Sequence, residues 1–414
     1  MSRILLKVVC LIATFMLLSC QPAEPASNVA ERRTSSTPEE TKKAPATDLE
    51  ALSNRLVTQV AGIKEGDIVF ISGGVRDFEL LENLTTDARR VGAHPLLTVS
   101  SDRMAKKYYE TVPEKYDSQS PELDLKLATM ATVAISVDAN ETEDLLSGVS
   151  PARLAALGKA NEPVGDLYLK RSVRQVSVGN GLYPTEWRAK RYAMSQDELA
   201  KAFWSAVNTD YSALQASGER VKSALAAGKE VHITNPNGTD LKVRIEGRPF
   251  FVSDGIISAE DVQKGGPAVS VYLPAGEVYC APIPGTAEGK VVVSRDFYQG
   301  KEITDLTLTF VAGKLTSMTG SGPGFAGFKA QYDATGDGKE LFAFVDLGIN
   351  PSFSVPSAGK LGNWIQAGMV TVGTGNNTWA GGDNKISYGM TNYLPGSTVN
   401  LDGKTIVEKG VLKL

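Results

Sequence analysis

The pattern of apolar and polar residues gives the first part of the folded chain an alternating texture. Residues 67–74 (DIVFISGG), 94–100 (HPLLTVS) and 131–139 (ATVAISVDA) are short runs rich in β-branched and other apolar side chains. Between these runs, residues 75–93 and 102–112 place apolar side chains three or four positions apart. Buried strands that alternate with amphipathic helices predict βαβ units and a parallel sheet.

The second part of the folded chain has a different pattern. Residues 195–227 keep the helical spacing, and Ser195 followed by acidic residues predicts the start of a helix. After Gly228, short β-branched runs are separated by Asn-Gly, Gly-Gly and Ala-Gly turns. We therefore predict an α/β domain with a mostly parallel sheet over residues 49–210 and a β-rich α+β domain over residues 211–414.

The first twenty residues predict export. Basic Arg3 and Lys7 precede an apolar run that is short for a membrane-spanning helix, which is typical of a secretory signal over residues 1–19. The run ends in Leu-Leu-Ser-Cys, which resembles a bacterial lipobox and implies cleavage before Cys20 and lipidation of that cysteine. An uncleaved anchor with an incidental cysteine is the alternative. The residue after the cysteine is Gln21 and not the aspartate that is associated with retention in the inner membrane. The resemblance therefore favours the outer membrane of a Gram-negative cell, with the protein facing the periplasm.

Residues 20–48 predict a disordered tether behind the lipid. They are rich in Pro, Ser, Thr, Glu and Lys and contain almost no large apolar side chain, so they cannot bury a core. A flexible segment of this length has a root-mean-square reach of roughly 25–35 Å. We therefore expect the tether to hold the folded body away from the membrane surface. The lipid on Cys20 is then the expected attachment to the membrane.

Charge and rare residues narrow the chemistry. A chain of 414 residues with a net charge of -4 has no basic excess, so nucleic acid is not an expected partner. The chain has two histidines, His94 and His232. Histidine is the commonest ligand in catalytic zinc sites, so the chain has few residues of the kind such a site needs. Cys280 is the one thiol left in the folded part, so no intramolecular disulfide is expected. We predict that Cys280 is a small buried hydrophobe rather than a nucleophile.

Five segments in a fixed order resemble a known family. They are residues 181–199 (GLYPTEWRAKRYAMSQDEL), 231–250 (VHITNPNGTDLKVRIEGRPF), 271–293 (VYLPAGEVYCAPIPGTAEGKVVV), 345–351 (VDLGINP) and 401–410 (LDGKTIVEKG). Together they are similar to the thermophilic metallopeptidase family of aminopeptidase T and aminopeptidase S, over residues 55–410. The resemblance implies an aminopeptidase T-like fold, a two-metal site that removes N-terminal residues from peptides, and a homodimer.

The resemblance also implies where the metal ligands would lie. The family's first glutamate corresponds to Glu277, in an intact Leu-Pro-Ala-Gly-Glu-Val stretch. Its second glutamate falls near Asp346 or, with a different gap, at Phe344. The family's first histidine corresponds to Thr371, and the histidine and aspartate of its last segment correspond to Gly389 and Thr391. Three ligand positions are therefore degraded, which predicts the loss of tight zinc binding.

Several functions remain open at this level. Our main hypothesis is a lipid-anchored, non-catalytic protein with no metal cofactor, which binds a peptide or another envelope ligand. The alternatives are a divergent metal-dependent aminopeptidase and a purely structural lipoprotein. Glu277, Asp346 and Asp383 could also converge as an all-oxygen site, which would suit Mg²⁺ or Ca²⁺ rather than zinc.

Overall fold

The computed structural model describes residues 47–138 and 140–414. The predicted signal sequence, the lipidation at Cys20 and nearly all of the predicted tether lie outside these residues. None of the helices in the described part is both long enough and apolar enough to cross a membrane.

The strands alternate with helices first and then follow one another closely. In chain order the strands are β1 (Ile68–Gly74), β2 (His94–Ser100), β3 (Val133–Val137), β4 (Arg174–Val178), β5 (Glu230–Asn235), β6 (Thr239–Arg244), β7 (Phe251–Ser253), β8 (Ser270–Leu273), β9 (Glu277–Cys280), β10 (Glu288–Tyr298), β11 (Lys301–Val311), β12 (Lys314–Ser321), β13 (Phe342–Gly348), β14 (Val370–Gly375), β15 (Gly389–Tyr393), β16 (Thr398–Leu401), β17 (Lys404–Glu408) and β18 (Val411–Leu412).

Most of the helical residues belong to the first part of the chain. The α-helices are α1 (Leu49–Arg55), α2 (Phe78–Arg90), α3 (Asp102–Thr111), α4 (Glu122–Ala128), α5 (Pro151–Lys170), α6 (Glu186–Arg191), α7 (Gln196–Val207), α8 (Tyr211–Ala226), α9 (Ala259–Lys264) and α10 (Phe325–Ala334). A π-helical turn, Leu56–Val60, continues α1. Short 3₁₀ turns are Val75–Asp77, Glu114–Tyr116, Gly266–Val269, Ser357–Gly359 and Thr378–Ala380.

The N-terminal part is built on a five-stranded sheet in the order β2-β1-β3-β4-β8, and every neighbouring pair in it is parallel. The predicted α/β class is confirmed. The predicted helix start is also present, because Ser195 and Glu198 form a capping box at α7. The fifth strand, β8, comes from residues beyond 210, so the parallel sheet is not confined to the range predicted for the first domain.

Two antiparallel sheets make up the β-rich C-terminal region. One has eight strands in the order β12-β11-β10-β6-β5-β16-β17-β18. The other has five strands in the order β15-β14-β13-β9-β7. The predicted β-rich α+β class is confirmed. A continuous buried cluster runs through both parts of the chain, from Ile71 in the parallel sheet through Phe203 in α7 to Phe310 in β11.

Helix α8 covers one face of the five-stranded antiparallel sheet. A Cβ atom on Gly218 in α8 would lie 2.4 Å from Cγ1 of Val252, so the helix can approach β7 this closely because it has a glycine there. Val252 lies opposite Val278 in the β7–β9 register, and both side chains point towards α8. Residues of the other parity, which include Glu277, lie on the opposite face.

Candidate functional site

The five-stranded antiparallel sheet places on one face the residues that the resemblance matches to metal ligands. Tyr279, Asp346, Thr371 and Tyr393 are directly opposite one another across β9, β13, β14 and β15. Because alternate residues of a strand share a face, Glu277 joins this row from β9, and Gly389 and Thr391 join it from β15. We call this surface the ligand face and define it by Glu277, Asp346, Thr371, Gly389 and Thr391.

Glu277 stands where the chain passes from one sheet to another. Leu273 ends β8 of the parallel sheet, and after three residues Glu277 begins β9 of the antiparallel sheet. The turn needs a glycine, since Gly276 has φ of +132° and a Cβ atom there would lie 2.6 Å from Cβ of Asn350. The Glu277 carboxylate is buried and accepts a hydrogen bond of 3.4 Å from the side-chain amide of Asn180. The same amide donates to the carbonyl of Pro274 at 2.9 Å.

Asp346 and Thr371 lie at the centre of the ligand face. They are directly opposite each other and both are fully buried. The Thr371 hydroxyl has no hydrogen-bond partner within the described part of the chain. Phe344 precedes Asp346 by two residues and therefore lies on the same face, so both placements of the family's second glutamate lead to the ligand face.

The structure does not bring every candidate residue together. Asp383 is exposed in the loop that follows β14, whereas Glu277 and Asp346 are buried in neighbouring strands. Gly389 and Thr391 are half-buried, and a Cβ atom on Gly389 would meet nothing within 4 Å. Across residues 47–138 and 140–414, no three histidine, cysteine, aspartate or glutamate side chains are grouped closely enough to hold a metal ion.

Aromatic rings pack over the ligand face. Their ring centroids are separated by 5.0 Å between Tyr279 and Trp379, 4.9 Å between Phe344 and Trp379, 5.6 Å between Phe344 and Trp364, and 5.5 Å between Trp364 and Tyr393. Such distances and the mostly tilted or perpendicular ring planes are typical of well-packed aromatic pairs. We call these five residues, Tyr279, Phe344, Trp364, Trp379 and Tyr393, the aromatic cluster.

A backbone segment also crosses the ligand face. A Cβ atom on Gly348, beside Glu277, would lie 2.3 Å from the carbonyl oxygen of Gln366. Hydrogen bonds fix the segment there, from the Asn350 amide to the Ile365 carbonyl at 2.8 Å and from the Gly368 amide to the Gly348 carbonyl at 2.9 Å. The segment that carries Trp364 is therefore held against the sheet by main-chain contacts.

Cys280 lies on the face opposite Glu277, because it is three residues further along β9. It is buried, as predicted for a small hydrophobe. Burial raises the pKa of the Cys280 thiol to about 12, Arg248 lowers it and the nearby Asp346 carboxylate raises it further. The thiolate, which is the reactive form, is therefore suppressed in the folded protein.

We expect Cys280 to resist alkylation in the native chain at pH 8. A rise of the thiol pKa from 9.0 to about 12 lowers the thiolate fraction roughly a thousandfold. Iodoacetamide treatment followed by mass spectrometry of the Cys280 peptide measures this, with guanidinium-unfolded protein as the control. Equal labelling of native and unfolded protein would contradict the burial of this thiol.

Comparison with known proteins identifies the family. The sequence profile described as thermophilic metalloprotease (M29) matches residues 46–323, which is more than half of the chain. The chain belongs to the M29 family.

Relatives and solved structures agree with this M29 assignment. Aminopeptidase PepS of Streptococcus thermophilus is 24% identical over 299 residues, which cover 66% of this chain and 70% of that protein. The structure of wild-type AmpT from Thermus thermophilus matches with a TM-score of 0.68 at 18% identity, over 88% of this chain and 99% of that chain. The predicted aminopeptidase T-like fold is confirmed.

The same fold also occurs in a protein with another named activity. The structure of 2,5-dihydroxypyridine dioxygenase from Pseudomonas putida KT2440 matches with a TM-score of 0.56 at 15% identity, over 89% of this chain and 97% of that chain. The fold of this M29 chain therefore does not by itself fix an activity, which has to be argued from the site.

An M29 assignment implies a metal centre, and the ligand face can be tested for it. A two-metal site holds both ions close together, roughly 3.5–4 Å apart, which takes several strong ligands. The ligand face offers the carboxylates of Glu277 and Asp346, the neutral hydroxyls of Thr371 and Thr391, and no side chain at Gly389. The buried Thr371 hydroxyl without a partner, next to packed aromatic rings, is not a substitute for an imidazole. These residues do not fit a two-metal centre.

The sequence did not reveal the aromatic cluster, although part of it follows the strand period. Tyr279 and Tyr393 lie two residues after Glu277 and Thr391, and Phe344 lies two residues before Asp346, so all three share the parity of a ligand position. Trp364 and Trp379 lie outside the strands, where no period predicts their direction. His94 and His232 belong to the other two sheets, at β2 and β5.

Proposed function

We propose that this protein is a non-catalytic member of the M29 family that binds a peptide or another ligand of the cell envelope. The observation that carries the proposal is the ligand face, where Glu277 and Asp346 are carboxylates but Thr371, Gly389 and Thr391 stand at positions that the resemblance matches to metal ligands. The aromatic cluster packs over Asp346 and Thr371 at the centre of that face, and aromatic rings do not bind or activate a hydrolytic water.

The chemistry of peptide hydrolysis supports the same conclusion. Two metal ions bind the attacking oxygen and polarise the carbonyl, while a carboxylate takes the proton from the bridging water. Threonine oxygens are neutral, and the Glu277 carboxylate already accepts a hydrogen bond from Asn180.

The proposal includes attachment to the envelope. It rests on the lipobox-like Leu-Leu-Ser-Cys that ends at Cys20 and on the polar segment behind it. With Gln21 after the lipidated cysteine, an outer-membrane lipoprotein facing the periplasm is the location we propose. A homodimer is proposed only from the resemblance to the family.

A second candidate function is a divergent metal-dependent aminopeptidase. Two observations favour it: Glu277 stands in an intact motif on the same face as Asp346, and a relative that matches 66% of the chain is named an aminopeptidase. This function would need a rebuilt set of oxygen ligands, for example with Asp383, and Asp383 is exposed in a loop.

Metal content and hydrolysis decide between the two functions. The full-length chain, purified in mild detergent, is analysed for bound metal and assayed on leucyl chromogenic substrates with added Zn²⁺, Co²⁺ or Mn²⁺. We expect less than stoichiometric metal and no hydrolysis, with Glu277→Gln indistinguishable from the parent. Stoichiometric metal and activity lost in Glu277→Gln, but retained in the exposed control Glu162→Gln, would establish the aminopeptidase instead.

A further inference from the structure

A cleft of about 420 Å³ opens between the two parts of the chain, away from the ligand face. Its walls come from Glu141 and Glu143 after β3, from α6, and from the β10–β11 hairpin near Phe297 and Gly300. The volume lies within the usual range for small-molecule sites, and sites of this kind occur preferentially at domain interfaces. We call it the interdomain cleft.

One wall of the interdomain cleft is a stack of aromatic rings and guanidinium groups. The Arg191 guanidinium lies 4.7 Å from the ring centre of Trp187 and 4.0 Å from that of Phe297. Arg188 lies 4.5 Å from the ring centre of Trp187, and Arg295 lies 4.9 Å from that of Phe297. These cation–π contacts fix Arg191 in place and give this wall guanidinium groups that can bind a carboxylate.

Two donors of that wall lack acceptors. Nε of Arg191 and Nε1 of Trp187 are buried and have no hydrogen-bond partner among the described residues. Buried donors are nearly always satisfied in folded proteins, so a pair of unsatisfied donors in the lining of one cleft indicates a missing acceptor. A carboxylate of a ligand would supply it, after a small shift of these side chains.

The acidic residues of the cleft differ in whether a basic side chain pairs with them. Glu143 pairs with Arg191, and Glu186 pairs with Lys190 at 2.7 Å. The exposed Glu141 carboxylate makes no side-chain hydrogen bond and no ion pair within 4 Å in the described part, where it interacts electrostatically with Arg76. The cleft therefore combines donors that need an acceptor with a carboxylate that is available to a cation.

We propose that the interdomain cleft binds a small zwitterion of the amino-acid or dipeptide type, with its ammonium group at Glu141 and its carboxylate at Arg191 and Trp187. The inference rests on the proposed function, because it takes binding rather than hydrolysis as the activity and places the ligand away from the ligand face, whose centre the aromatic cluster covers.

Isothermal titration calorimetry on the full-length chain in mild detergent tests the chemistry of the ligand. The probes are dialanine, N-acetyl-dialanine without the ammonium group, and dialanine amide without the carboxylate. We expect saturable binding of dialanine and at least about tenfold weaker binding of each derivative, since each loses one charged contact. Equal affinities for all three probes, or no binding of any of them, would overturn the proposal.

Substitutions test the place of binding. Glu141→Gln is expected to weaken dialanine binding about tenfold or more, and Trp187→Phe to weaken it by a smaller factor because the ring stack is kept. Glu162→Gln is the exposed control and leaves the affinity unchanged. Thermal unfolding midpoints show that each variant is folded.

The experiments distinguish binding in the interdomain cleft from binding at the ligand face. If Trp379→Ala abolishes binding while Glu141→Gln does not, the ligand occupies the old ligand face, which overturns the cleft site and leaves the proposed function intact. If the chain proves to hold metal and to hydrolyse peptides, the proposed function fails, whatever the calorimetry shows at Glu141.

Discussion

Replacing Trp364 by alanine is expected to lower the free energy of unfolding by about 3–5 kcal/mol, the usual cost of truncating a large buried aromatic side chain. Trp364 is buried and contacts Phe344, Tyr393 and Trp379, the last at 6.4 Å. Its main chain is already held against Gly348, so neighbouring residues cannot easily close the cavity. Denaturant unfolding followed by circular dichroism measures the change.

Phe251→Ala is the matched control for Trp364→Ala. Phe251 stacks on Tyr279 at 5.7 Å but is 37% exposed, so its truncation removes far less buried surface. If the aromatic cluster rather than a metal holds the face together, a chelator leaves the unfolding midpoint of the parent chain unchanged. A cost below about 1 kcal/mol for Trp364→Ala, or a midpoint that falls with the chelator, would contradict this role of the cluster.

Restoring the family's ligands is expected to fail while the aromatic cluster is in place. A variant with Thr371→His, Gly389→His and Thr391→Asp keeps Glu277 and Asp346 and has five ligand side chains on one face. Gly389 has room for a side chain, but Thr371 is fully buried beside Asp346 under the packed rings. We therefore expect this variant to bind less than one zinc ion per chain and to be less stable than the parent.

Adding Phe344→Glu and Trp379→Ala to that variant is expected to create zinc binding. The first change places a carboxylate at the alternative position of the family's second glutamate, and the second removes the ring that contacts both Phe344 and Tyr279. Metal analysis after dialysis measures the stoichiometry, and a zinc-dependent rise of the unfolding midpoint confirms binding to the folded state. Stoichiometric zinc in the three-residue variant would show that ligand loss alone, without the cluster, removed the site.

The sequence predicted those elements whose period is local. The strands at residues 67–74 and 94–100 and the helix that begins after Ser195 are all present, because alternation and capping depend on near neighbours. The strand β8 was expected with the antiparallel strands around it. Its parallel partner is β4, and the paired residues, such as Gln175 and Ser270, are 95 positions apart in the chain. Nothing in four residues of sequence encodes that pairing.

The candidate site could be predicted from the sequence only in part. The resemblance supplied Glu277, Thr371 and Gly389, and the register of the sheet shows that these positions share one face. What covers that face depends on Trp364, which lies in a loop, and on Trp379, which lies in the short 3₁₀ turn Thr378–Ala380. The direction of a side chain in a loop follows from tertiary contacts, so no pattern in the sequence could indicate it.

The turn from β8 through Pro274 and Gly276 to β9 gives the intact motif around Glu277 a structural role. These residues form the joint between the parallel and antiparallel sheets, and the Asn180 amide ties that joint to the end of β4. A chain that keeps this joint needs a short, tightly turned connection whether or not it hydrolyses peptides. The Pro-Ala-Gly turn of the motif is therefore an architectural requirement of the joint, whether or not Glu277 takes part in catalysis.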